Sequence, residues 1–204
     1  MKALLARCAT LVVAGVACAR AHVEYTGDGT LERVENPSLL CSDRYFVQLG
    51  PLDLSRPAVR SYEFAGLPET AFTLGIVVAQ PKTSGDSVPI GGMHARVRMQ
   101  IRDERYRSVV VANGPLSDWT WSTDLKRPTN AFVYRRGESV ERSLGNGMTT
   151  SERTGVNPDS GWGTSFKPRA EGHYRLDVAV EEGDIGATQY DVSLRADGGY
   201  GCEL

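Results

Sequence analysis

The residues able to do chemistry are few and scattered. The histidines stand at positions 22, 94 and 173, none at ligand spacing from another, so they define no metal site by themselves. There is no Gly-x-Ser-x-Gly elbow, Cys-x-x-Cys pair, His-Glu-x-x-His segment or phosphate-cradling glycine loop. No catalytic residue, metal or cofactor is therefore assigned, and the expected role is non-enzymatic. Two groups remain. Arg96, Arg98 and Arg102 alternate with apolar residues, and Arg105 and Arg107 follow. On the wet face of a strand such guanidinium groups suit an acidic or phosphate-bearing surface, or they pair with nearby carboxylates such as Asp103 and Glu104. Trp119 and Trp121 are two apart, so a strand puts them on one face, and Trp162 closes a polar stretch. Exposed, they make a stacking platform for a glycan; buried, they are packing residues.

Cysteine usage points to compartment. Met1–Arg7 carries Lys2 and Arg7, and Cys8–Ala19 holds no charge. A basic start followed by a short apolar run has the form of an export signal, too short to span a bilayer. Residues 1–21 are expected to be removed if cleavage follows Ala19-Arg20-Ala21. Cys8 and Cys18 lie in that leader, leaving Cys41 and Cys202. Two cysteines in an exported chain are expected to form one disulfide.

The remainder of the 204 residues is one domain of ordinary size. Lys and Arg total 23 and Asp and Glu 25, with Lys2, Arg7 and Arg20 in the leader. The rest is mildly acidic, which argues against nucleic acid as a partner.

The elements that must position these side chains read as strands. Residues 22–40 form a polar segment, and 41–204 a single domain. Strands are expected at 44–49, 59–64, 71–78, 94–102, 106–112 and 131–134. The 71–78 run is almost wholly apolar, so it is expected to be central. Tyr174, Leu176, Val178 and Val180 alternate with polar residues, as do Tyr190, Val192 and Leu194. The polar link between these two runs predicts a hairpin. Ala95, Val97, Met99, Ile101, Leu176, Val178, Val192 and Leu194 are expected to share one core. Residues 137–163 are expected to be a long loop without strands of their own. About eight to ten short strands make an all-β antiparallel sandwich.

Two local resemblances add to this. Ala14-Gly15-Val16-Ala17-Cys18 resembles a bacterial lipobox, which implies Cys18 lipidated as the mature N-terminus, with 1–17 removed, and an outer-membrane or periplasmic location through a lipid anchor. Gly172-His173-Tyr174, leading into an alternating strand, resembles the start of strand F in an immunoglobulin-like domain, where a tyrosine hydroxyl bonds back to the preceding corner. The layout is similar to small exported bacterial β-sandwich proteins that carry no assigned activity. The expectation is an envelope protein whose sandwich binds another envelope protein; the alternative is a carbohydrate-binding module using Trp119 and Trp121.

Overall fold

The computed structural model describes residues 24–36, 43–79, 92–136, 140–144, 148–152 and 163–199. Two antiparallel sheets pack face to face. The first contains β1 (Thr26–Gly27), β4 (Ala58–Ala65), β13 (His173–Glu182), β6 (Arg96–Asp103) and β7 (Ser108–Pro115), in that spatial order. The second runs β2 (Thr30–Val34), β3 (Arg44–Pro51), β14 (Val192–Gly198), β5 (Phe72–Val78), β9 (Ala131–Tyr134) and β8 (Thr120–Thr123). The short β12 (Ser165–Phe166) lies against β5.

Alternation builds the core. Leu176 and Val178 on β13 lie opposite Ile101 and Met99 on β6, and all four point between the sheets. Leu194 on β14 lies opposite Ile76 on β5 and meets them from the other side. The expected core set, Ala95, Val97, Met99, Ile101, Leu176, Val178, Val192 and Leu194, is in one cluster. Every residue of β5 is buried, as its apolar run predicts.

Two expectations are corrected. First, β13 and β14 are not a hairpin. β13 pairs with β4 and β6, whereas β14 pairs with β3 and β5 in the opposite sheet. Their link contains a 3-10 turn, Ile185–Gln189, started by Asp184, whose side chain accepts from the Gly186 N–H at 2.9 Å. Alternation says which face of a strand is apolar but not which sheet the strand joins. The polar segment, for its part, has two strands among its described residues, 24–36. β1 pairs with β4 and β2 with β3, so the chain switches sheets at Gly27-Asp28-Gly29. Gly27 and Gly29 have φ of 112° and 86°, and a Cβ on Gly27 would lie 2.2 Å from the Glu63 carbonyl oxygen. Only glycine fits such a corner. Second, the 137–163 stretch holds a hairpin of β10 (Val140–Leu144) and β11 (Met148–Glu152). Its strands are polar, so apolar periodicity could not reveal them.

Gly172-His173-Tyr174 builds the corner the resemblance implies. The Tyr174 hydroxyl accepts the Arg169 N–H at 2.8 Å, and a Cβ on Gly172 would lie 2.6 Å from that oxygen. Tyr174 therefore pins the turn that feeds β13 into the core.

Candidate functional site

The outer face of the first sheet is an ordered charge array. β6 sends Arg96, Arg98, Gln100 and Arg102 outward, and β13 sends Arg175, Asp177 and Glu181 beside them. Arg102 Nη1 donates to Asp177 Oδ2 at 2.6 Å, and Arg98 Nε donates to Glu181 Oε1 at 3.0 Å. Arg96 lies 3.7 Å from Glu182. Asp177 also accepts from Ser61 Oγ at 2.7 Å and Arg175 Nε at 3.1 Å. Partial burial alone would raise the Asp177 pKa, but the Ser61 hydroxyl, Arg175 and Arg102 outweigh it and hold the carboxyl below its ordinary value. The arginines found by spacing thus share one face and are paired. Their partners come from β13, not from Asp103 and Glu104. Asp103 instead accepts from the backbone of Arg105 and Arg107 and from the Arg107 guanidinium, closing the β6–β7 turn.

The tryptophans do not form one platform. Trp119 is 4% exposed and belongs to the core, whereas Trp121 on edge strand β8 is 52% exposed. Sequence spacing gives both the same side of a strand, but Trp119 caps the 3-10 turn Leu116–Asp118 ahead of β8, and only Trp121 is on the strand. Trp162 is outside the described residues, as are Cys18, Cys41 and Cys202. His173 starts β13, while the His94 N–H donates to Asp184 beyond the other end of that strand. At about 3.3 Å per residue, the two imidazoles stand at opposite ends of a ten-residue strand. Among the described residues no group of His, Cys, Asp and Glu could hold a metal ion.

A second charged cluster was not found from sequence. Arg195 on β14 points away from the sandwich core, yet it is 2% exposed. Its Nη2 donates to Asp124 Oδ1 at 2.6 Å and Asp197 Oδ2 at 2.7 Å, its Nη1 to Asp124 Oδ2 at 3.1 Å, and its Nε to Asp197 Oδ1. The guanidinium lies between the rings of Phe46 and Phe132, 5.2 Å from each centroid. Gly75 makes room for Phe132, since a Cβ there would lie 2.5 Å from the ring. Asp124 belongs to the β8–β9 turn, whose Lys126 ion-pairs with Glu32 on β2. Burial pushes the Asp197 carboxyl above its ordinary value, against the pull of Arg195 and with a further push from the Asp124 charge. The signal was present in β5. A strand apolar on both faces requires its neighbour β14 to be covered on both faces too, including its arginine.

The fold and faces define an antiparallel β-sandwich with a tyrosine corner, one charged outer face and one covered outer face. Comparison with known proteins finds no matching family model, no matching curated protein and no matching solved structure.

Proposed function

We propose that this chain is an exported, non-enzymatic bacterial envelope protein whose sandwich binds another protein of the envelope. The observation that supports binding is the outer face of the first sheet. Arg98, Arg102 and Arg175 are held in fixed directions by Glu181 and Asp177. Groups fixed before association lose less conformational freedom when a partner arrives. Export rests on the Met1–Ala21 leader, and a lipid anchor on Cys18.

The proposed Cys41–Cys202 disulfide rests on these being the two cysteines left once the leader is removed. β3 and β14 are antiparallel, with Tyr45 opposite Gly198. Positions 41 and 202 themselves lie outside the described residues. Linked peptides under non-reducing mass spectrometry are the expected result; two free thiols in exported protein would remove the bond.

The test of the main reading is affinity capture from intact envelopes, with the parent and with Cys18→Ser. Parent protein should be in the membrane pellet and retain a protein partner. Cys18→Ser should be soluble and lose fatty-acid labelling. A parent that is soluble and captures nothing overturns the proposal. Half-exposed Trp121 supports a second reading, glycan binding; Trp121→Ala should then abolish retention on a glycan array.

A further inference from the structure

We infer that the free edge of β4 is a docking lane for an extended, acidic peptide segment of the partner, which adds to the first sheet as an antiparallel strand. The inference rests on the protein-binding reading above and gives it a site.

β4 pairs with β13 along its whole length, Ala58 to Ala65, with no register shift. Its other edge is covered by β1 at Phe64 and Ala65 only. Next to that, the Asp28 N–H donates to the Glu63 carbonyl, and the Glu63 N–H donates to Asp28 Oδ2, both at 2.8 Å. The chain then leaves for the other sheet. The Asp28 carboxylate thus takes the place of a strand carbonyl at the last covered position.

Antiparallel pairing makes the remaining edge predictable. Successive residues point their N–H and C=O to alternate sides. Glu63 points both toward the β1 lane, so Ser61 and Val59 do too. Neither backbone has a partner there among the described residues. Val59 is 73% exposed, and Arg60 and Ser61 are exposed as well. No proline or bulge interrupts residues 58–63. Unpaired, flat strand edges are the usual templates for strand addition.

The lane also has a side-chain pocket. A trough of about 420 Å³ is lined by Arg60, Ser61 and Tyr62 on one side and by Asp28, Gly29 and Leu49 on the other. Arg60 forms no ion pair among the described residues, unlike Arg98, Arg102 and Arg175 on the same sheet. In an antiparallel addition the peptide residues opposite Val59 and Ser61 each exchange two hydrogen bonds with β4. The residue between them lies opposite Arg60 and turns its side chain to the same face, toward the trough. A carboxylate there meets the free guanidinium. Asp28 and Gly29 stand at the end of the lane, where the chain crosses from β1 to β2 in the other sheet, and a second folded sheet would have to clear that crossing. The occupant is therefore a linear segment rather than a second copy of this chain.

The test pans a phage-displayed random linear peptide library against the folded full chain. The best binder is then made synthetically and titrated against parent, Val59→Pro and Arg60→Glu. Proline at 59 removes an N–H that faces solvent and leaves the β13 ladder intact. Expected results are an acidic residue at one fixed peptide position and at least tenfold weaker binding to Val59→Pro. Arg60→Glu should switch the preference at that position to Lys or Arg. In the parent, the Val59 and Ser61 amides should exchange at least tenfold more slowly with peptide bound. The amide measurement decides the matter alone if Val59→Pro lowers the melting temperature. No enrichment, or unchanged exchange at both amides, overturns the inference. Slow exchange that depends on protein concentration without peptide also overturns it, by giving the edge to a second copy. If Val59→Pro still captures the envelope partner at parental strength, the broader proposal stands and this lane is not its site.

Discussion

The two sheets use the same residue types on their outer faces and reach opposite states. On the first sheet, Arg98, Arg102, Arg175, Asp177 and Glu181 meet water, and each pair is a modest contact in high dielectric. On the second, the Arg195 guanidinium is buried between two aromatic rings, with Asp124 and Asp197 buried against it. There each charge has lost its hydration, and only mutual pairing offsets that loss. Composition is therefore a poor guide to what an arginine does. An exposed one is available to a partner at little cost to the fold; a buried one belongs to the fold.

Breaking the buried cluster should have the largest effect. Arg195→Leu leaves two carboxylates facing each other without a cation and should cost about 3–5 kcal/mol in a urea melt. A loss below about 1 kcal/mol would mean that the cluster is hydrated in solution. Replacing all three charges by apolar residues, Arg195→Met with Asp124→Leu and Asp197→Leu, should recover most of that loss. This separates the penalty of a broken cluster from the worth of an intact one.

Acid titration should sharpen the contrast, because the two faces have opposite signs. The folded pKa of Asp177 is lowered from 3.8, so its contribution is present above that value and fades as pH falls through the folded one. The folded pKa of Asp197 is raised from 3.8, so its contribution is full below that value and fades as pH rises through the folded one. In melts from pH 3 to 7, the stability advantage of the parent over Asp177→Asn should grow with pH. Its advantage over Asp197→Asn should shrink. Parallel trends would refute the assignment of the two faces. The smallest effect belongs to Arg98→Ala, which should change stability by no more than about 0.5 kcal/mol. A measurable loss of partner capture with that small change would assign the exposed face to binding.

Local patterns made much of the sandwich legible. The apolar run of β5 gave a central strand, the alternation of β6 gave both its faces, and Gly172-His173-Tyr174 gave the corner before β13. What failed was information carried by neighbours. Nothing in the β13 and β14 sequences says that they join different sheets. The strands β1 and β2 are exposed and polar, so they lack the periodicity that marks a buried face. Arg195 sits at a position that alternation assigns to water, and only the turn folded over it makes that position dry. Trp119 and Trp121 differ because one caps a 3-10 turn that enters the core and the other is on β8, the edge strand of the second sheet. The candidate arginines could be grouped from spacing, but their partners on β13 could not, since those come from more than seventy residues away.

The return of the chain near β12 has a practical meaning. The Thr164 N–H donates to the Arg135 carbonyl at 3.0 Å, and the next contact joins the Thr164 carbonyl to the Leu74 N–H at 2.8 Å. Arg135 and Thr164 are therefore joined to each other directly, and β10 and β11 fall between them in the sequence. With those two ends fixed, doubling the length of the chain between them costs only about 0.6 kcal/mol of closure entropy. Lengthening the chain between Arg135 and Thr164 is therefore expected to cost the sandwich little stability.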